Sequence, residues 1–172
     1  MTVVTALFSR PTTTDFFAAG DIYATAFVAA NGFHYTLSIM QDTQTCTRYH
    51  ASELAKGHFV FEARDETLVP SLTLCAAVKI GNVQKNSVEQ ITALLKPIPM
   101  TLPDCDLTTD GYFRCRVWLK KAIRVLDKDG VISCSNAEAV VNGELRKYAE
   151  ENSEAITGGT GGPKVYVSQH SS

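Results

Sequence analysis

A cysteine that begins an amphipathic run is the residue of this chain best suited to covalent chemistry. Cys115 opens the segment 115–126, where apolar residues recur at helical spacing after a glycine-containing lead-in at 110–114. The first turn of a helix carries unpaired N–H groups and the positive end of the helix dipole, and Arg114 and Arg116 add two cations. Each feature lowers the pKa of a thiol, and thiolate is the reactive form. The pattern therefore predicts a nucleophile at Cys115.

Two histidines far upstream fall on neighbouring predicted strands. Segments 33–41 and 45–51 have the composition and alternation of β-strands, and the polar turn between them is typical of a hairpin. His34 lies on the first of these strands and His50 on the second. A thiol and two imidazoles are thus available to one site.

The elements that must position these residues predict an α+β domain. We expect an antiparallel sheet with helices on one side, in a single domain over residues 1–156. A flexible Gly- and Ser-containing tail is expected at 157–172. The predicted strands lie at about 33–41, 45–51, 58–63 and 71–83, and the helices run from a capping box at Ser87 to Lys96, from Cys115 to Asp129–Gly130, and over about 137–152.

The first residues of the chain give mixed signals. Thr2 to Phe8 is a possible strand, and the alanine- and aromatic-rich stretch from Phe16 to Ala30 fits neither helix nor strand clearly. These residues could cover the cleft or extend the sheet.

The bulk composition restricts the partners. The chain has 172 residues and a net charge of −2, from 16 basic and 18 acidic residues, which disfavours nucleic acid or an anionic membrane surface as a partner. No window approaches the roughly 20 apolar residues of a membrane span, and the N-terminus lacks the basic region of a secretion signal. Five cysteines without a C-x-x-C pair favour a reducing compartment. We expect a cytoplasmic protein.

Zinc binding is an alternative use of the same residues. His34, His50 and a cysteine are ligand types that zinc accepts. The sequence contains no H-E-x-x-H or C-x-x-C spacing to support such a site, and the glycines at 158–162 lack the lysine–serine continuation of a phosphate-binding loop. We expect neither a metal nor a cofactor.

The order His34, His50, Cys115 resembles the circularly permuted branch of the papain-like fold. That branch contains lecithin:retinol acyltransferase-like enzymes, NlpC/P60 proteins and PPPDE-type peptidases. In it a strand histidine comes first, a polar residue follows on the next strand, and the cysteine begins a later helix. Residues 32–150 are also similar to an uncharacterised fungal family with an R-Y-H segment and a C-R-x-W-(L/V)-K-x-A helix. Arg114 departs from the pattern, because the peptidase and acyltransferase relatives usually carry asparagine there.

The resemblance implies a cysteine-dependent hydrolase or acyl transferase that acts through an acyl-thiol intermediate on an amide, ester or peptide-like substrate. Cys115 would be the nucleophile, His34 the general base and then acid, and His50 the group that orients His34. The backbone N–H of Cys115 would be one oxyanion donor. Three residues are expected to contact the small-molecule or peptide substrate: Tyr49, a candidate second oxyanion donor, Arg116, suited to an anionic group, and Trp118, on the helix face of Cys115.

Structural interpretations of these residues stay open. Cys115 could be a half-buried core thiol, and the basic residues of its helix are most simply a solvated face: Arg116, Lys120, Lys121 and Arg124. The competing function is a catalytically silent papain-like fold that serves as a protein- or ligand-binding module. A sulfur within about 4 Å of an imidazole nitrogen of His34 would favour the enzyme, and a sulfur in apolar contacts remote from both histidines would favour the module.

Overall fold

A six-stranded sheet forms the centre of the computed structural model, which describes residues 17–172. The strand order is β4-β3-β2-β1-β5-β6, and every neighbouring pair is antiparallel except β5 and β6. The strands are β1 (Asp21–Ala29), β2 (Gly32–Met40), β3 (Thr45–Ala55), β4 (His58–Thr67), β5 (Leu74–Asn82) and β6 (Lys164–Val167).

The helices cover one face of this sheet. Their apolar residues, such as Ile91, Trp118 and Val141, form one core with Leu37 and Tyr49 of the strands. The helices are α1 (Val88–Leu95), a 3-10 turn (Asp104–Asp106) leading into α2 (Leu107–Asp110), α3 (Cys115–Lys128), and a π-helix (Ala139–Leu145) that continues into α4 (Arg146–Thr157). The predicted α+β class, with an antiparallel sheet and helices on one side, is confirmed.

The opposite face of the sheet carries a second, smaller apolar cluster. Because strand side chains alternate between faces, Tyr23 and Phe27 of β1 and Met40 of β2 point away from the helices. Phe17 packs on the same side, with its ring 5.0 Å from that of Tyr23. His34 shares this face, since it lies six positions before Met40 on the same strand.

Most predicted elements are present, and some extend further than the sequence indicated. The capping box is confirmed, because the Ser87 side chain accepts from the Gln90 amide and the Gln90 side chain accepts from the Ser87 amide. The stretch whose pattern fitted neither helix nor strand contains β1, which pairs with both β2 and β5. The possible strand at Thr2–Phe8 lies outside the described residues.

The prediction of a flexible tail at 157–172 is wrong. Residues 164–167 form β6, which pairs in parallel with β5 from Ala76↔Lys164 to Lys79↔Val167. The last residue is held too, because Ser172 exchanges backbone hydrogen bonds of 2.8 and 2.9 Å with Ser133. The end of the chain therefore belongs to the folded domain.

The first residues of β2 are not paired with β3. The β2–β3 ladder runs from Met40↔Cys46 only to Leu37↔Tyr49, whereas β2 stays paired with β1 as far as Gly32. On its other edge, β3 is paired with β4 from Thr45 to Ala55, including the part beyond Tyr49. Because β2 has no β3 partner over residues 32–36, a gap opens between the two strands beside His34.

None of the helices within residues 17–172 has both the length and the apolar character needed to cross a bilayer.

Candidate functional site

The two histidines meet across the gap between β2 and β3. Nε2 of His34 and Nδ1 of His50 lie 2.8 Å apart, with ring centroids at 4.7 Å and planes at 83°. His50 is 5% exposed, whereas His34 is half-buried. A hydrogen bond therefore joins the two rings and occupies one nitrogen of each.

A carboxylate on the edge strand extends this pair. Glu62 stands opposite His50 in the β3–β4 register, and its Oε2 lies 3.3 Å from Nε2 of His50. This is an ion-pair distance without hydrogen-bond alignment, and the buried Nε2 of His50 has no hydrogen-bond partner among residues 17–172. Sequence reasoning missed Glu62 because it alternates with Arg64 and Glu66 in a pattern typical of a solvated strand face. Glu62, His50 and His34 form a row across three strands.

Both imidazoles are held in the neutral form. Burial is the largest cause of the lowered pKa of His34, and the Arg48 guanidinium acts in the same direction. Burial, then His34 and Arg48, lowers the pKa of His50 to about 4, against the opposing effect of Glu62. A neutral imidazole keeps a lone pair and serves as a base near neutral pH.

Cys115 is the first residue of α3 and approaches β2 from the helix side. Its thiol is half-buried against the helix-side core and lies beside the backbone amide of Tyr35, the residue that follows His34. Tyr35, not His34, points into the helix layer, so the side chain of His34 lies on the face of β2 away from the Cys115 helix. Among the described residues, no hydrogen bond joins the sulfur to either imidazole.

The thiol is not pre-ionised. Burial raises the pKa of Cys115 and outweighs the opposing effect of the Tyr35 and Arg116 backbone amides and of the Arg114 guanidinium. The sequence correctly placed the helix N-terminus and the two cations beside the sulfur, but it did not indicate the depth of burial. Any nucleophilic role for Cys115 therefore requires a base.

Two of the predicted substrate contacts belong to the core instead. Trp118 is fully buried, with its ring 6.0 Å from that of Phe61. Tyr49 is also fully buried, and its hydroxyl lies 2.8 Å from that of Thr92 on α1. Neither side chain reaches a surface that a substrate could contact.

The basic face of α3 is not solvated. Nζ of Lys120 is fully buried and donates to Asp106 at 2.8 Å, to Glu138 at 2.6 Å and to Asp110. The predicted substrate contact Arg116 donates from Nε and Nη2 to Asp110, at 3.0 and 2.7 Å. Arg124 binds both oxygens of Asp106. These six residues, which we call the ion network, fold the 104–110 segment onto α3: Asp106, Asp110, Arg116, Lys120, Arg124 and Glu138.

The three carboxylates of the ion network lie close enough together to hold a cation. Burial works against their ionisation, but hydrogen bonds from Lys120, Arg124 and Arg116 lower the pKa of Asp106 and Asp110. Burial works against the charged form of Lys120 too, but its hydrogen bonds to Asp106, Asp110 and Glu138 raise its pKa. The ammonium group supplies the positive charge, so the cluster is a protein ion pair network.

Cavities of about 530 and 300 Å³ lie elsewhere. The larger lies between α1 and the β3–β4 pair, next to Thr47, Asp65 and Thr92. The smaller lies at the end of α3, beside Asp127 and Cys134. Neither is lined by Cys115 or the two histidines, so the candidate site is the open gap between strands.

The fold and the site define a class of protein. It is an α+β domain with a histidine pair at a gap between two strands and a cysteine at a nearby helix start. The chain belongs to DUF6914, a family of unknown function, whose profile matches residues 4–156. No curated protein and no solved structure matches it.

Proposed function

We propose that the chain is a cysteine-dependent hydrolase or acyl transferase with Cys115 as nucleophile, His34 as general base and His50 as the group that orients His34. One observation carries the proposal. The hydrogen-bonded histidine pair lies in the β2–β3 gap, and His34 directly precedes Tyr35, whose backbone amide contacts the Cys115 thiol. The proposed substrate is an amide, ester or peptide-like molecule, entering where the two strands separate.

The protonation states favour general-base catalysis rather than a resting thiolate–imidazolium pair. The thiol and the imidazole are both neutral, so the proposed proton transfer takes place only as the substrate reacts. Nδ1 of His34 takes the Sγ proton while sulfur bonds to the carbonyl carbon. The imidazolium then gives this proton to the leaving amine or alcohol, and water or a second nucleophile releases the acyl group from sulfur.

The developing oxyanion needs donors near the sulfur. The first intrahelical bond of α3 is Trp118 N–H to the carbonyl of Arg114, so the amides of residues 115–117 have no partner within the helix. The amide of Tyr35 lies on the β2 side of the thiol. These main-chain groups, rather than the buried Tyr49 hydroxyl, are the donors that the proposal uses.

A binding module is the second candidate, and it has an observation of its own. The sulfur makes no hydrogen bond to His34 among residues 17–172, and burial raises its pKa as it would for a core thiol. In this alternative the domain binds a protein or small ligand without reacting with it. The two candidates differ in whether His34 controls the chemistry of Cys115.

The test is the pH dependence of Cys115 alkylation by iodoacetamide, followed by peptide mapping in the wild type, His34→Ala and His34→Gln. General-base assistance predicts a rate that is level between about pH 6.5 and 8, because neutral His34 is the assisting species. At pH values below its pKa, an unassisted thiol reacts about tenfold faster for each unit by which the pH is raised. We expect the level profile in the wild type and the tenfold slope in both variants.

Two controls accompany this experiment. The exposed Cys105 in the same molecule reports unassisted thiol chemistry, and His58→Ala removes an exposed histidine of β4. A wild-type Cys115 profile that rises in parallel with that of Cys105 would refute the enzyme and leave the binding module.

A further inference from the structure

The carboxylate of Glu62 determines which nitrogen of each histidine carries the proton. We infer that Glu62 is a positioning residue that holds the proton of His50 on Nε2, so that His34 keeps its proton on Nε2 and has its lone pair on Nδ1, the atom that the proposed function uses as the base. This inference rests on the proposed function for its catalytic meaning, but its structural content is tested separately.

The argument begins with the bond between the two rings. At 2.8 Å, one of the two facing nitrogens donates and the other accepts. If Nε2 of His34 donates, His34 has a lone pair on Nδ1 and is a competent base. If Nδ1 of His50 donates instead, the proton of His34 is on Nδ1 and the ring has no lone pair for Cys115. The geometry of this bond alone does not determine which of the two nitrogens carries the proton.

The choice is made at the other side of His50. Nε2 of His50 is buried, has no hydrogen bond within the part of the chain that the structure describes, and lies 3.3 Å from Oε2 of Glu62. A protonated Nε2 directs a partial positive charge at the carboxylate, whereas a lone pair there would face a full negative charge. Because burial weakens solvent screening, this difference favours the Nε2–H form of His50. Its Nδ1 must then accept from His34.

The neighbouring charges strengthen this role of Glu62. Burial, then His34, Arg48 and Arg64, lowers the pKa of His50, so the pair stays neutral and the carboxylate acts on the tautomer rather than on the charge. Arg64 also holds Glu62, with Nη1 3.5 Å from Oε1, while the other oxygen faces His50. Glu66 lies four residues after Glu62 on the same strand and pairs with Arg48 and Arg64, and no ion pair or hydrogen bond joins it to a histidine of the described residues.

The experiment reads the tautomers directly by long-range ¹H–¹⁵N correlation of the histidine rings at pH 7.5, in the wild type, Glu62→Ala, Glu62→Gln and Glu66→Ala. We expect Nε2–H on both rings in the wild type and in Glu66→Ala, the matched control. Glu62→Ala should give a mixture on both rings, and Glu62→Gln, which keeps an oxygen acceptor, should restore most of the wild-type form. Unchanged tautomers in Glu62→Ala, or an Nδ1–H form of His50 in the wild type, would overturn the inference.

Alkylation of Cys115 in the same variants separates this inference from the proposed function. If both hold, the rate at pH 7.5 falls in Glu62→Ala by about the factor by which the His34 Nδ1 lone pair is depopulated, and Glu66→Ala reacts like the wild type. A tautomer shift with unchanged alkylation supports the role of Glu62 at His50 while contradicting general-base assistance by His34.

Discussion

Helix α3 stands between two groups of ionisable residues that are built in opposite ways. On its 104–110 side, the ion network sets three carboxylates against three cations, and each member has a partner of opposite charge. On its N-terminal side, Cys115 and the two histidines of β2 and β3 are neutral, and Nε2 of His50 has no hydrogen bond to any described residue. Complete pairing fixes the position of α3, whereas incomplete pairing leaves groups with the capacity to exchange protons.

The two regions therefore respond differently to mutation. Removing one ion from a network of buried pairs leaves an uncompensated charge, and that is expensive. Removing a group from the histidine row changes a protonation state more than it changes packing. The predictions below test this division, from the largest expected effect to the smallest.

Lys120→Met should be the most damaging single change. It leaves Asp106, Asp110 and Glu138 without their shared ammonium, and we expect a loss of about 3–5 kcal/mol in the free energy of unfolding. Urea denaturation measures it. The control is Lys128→Met at the exposed end of the same helix, which should cost below about 1 kcal/mol. Equal losses in the two variants would show that the ion network does not stabilise the fold.

The histidine pair and the ion network should contribute to the pH dependence of stability in separate pH ranges. His50 has a lowered pKa of about 4 in the folded state and the ordinary value of 6.5 when unfolded. The unfolded chain thus binds the proton first as the pH falls, and stability present above pH 6.5 is lost between 6.5 and about 4, with a slope of up to about 1.4 kcal/mol per unit. Asp106 and Asp110 also have lowered pKa values, so their contribution is present above their unfolded value of 3.8 and is lost below it.

His50→Gln should flatten the first window and leave the second in place. Urea midpoints measured from pH 7 to pH 3 give both slopes, and His58→Gln, at an exposed position, is the control with the wild-type profile. A wild-type protein whose stability is constant between pH 6.5 and 4.5 would contradict the neutral, buried state of the histidine pair.

The sequence predicted the strands and the cysteine helix because hydrophobic periodicity is local. Alternation placed His34 and His50 on neighbouring strands, and the helical spacing after Cys115 placed it at a helix start. Which face each strand turns to the helices is not local information, since it depends on how the whole sheet packs. Alternation alone therefore does not decide whether His34 or Tyr35 lies on the helix side, and the structure places Tyr35 there.

Ion pairs between residues of distant segments also could not be predicted from the sequence. Lys120 looked solvated because its neighbours on the helix face are basic, and its acidic partners lie in a proline- and aspartate-rich stretch that read as a loop. The strand at 164–167 was missed for a similar reason. Four residues after a glycine-rich stretch carry little periodicity, and pairing with β5 determines their conformation.

Tyr49→Phe should have the smallest effect and sharpens the boundary between core and site. The substitution removes the hydroxyl that lies 2.8 Å from Thr92, but Thr92 still donates to the carbonyl of Val88 at 2.8 Å, so no buried donor is orphaned. We expect a loss of about 1 kcal/mol, measured by urea denaturation, with a Thr92→Val cycle to isolate the pair. Cys115 alkylation should be unchanged at every pH, since Tyr49 faces α1 rather than the thiol. A loss of alkylation without a loss of stability would return Tyr49 to the oxyanion role that its sequence position suggested.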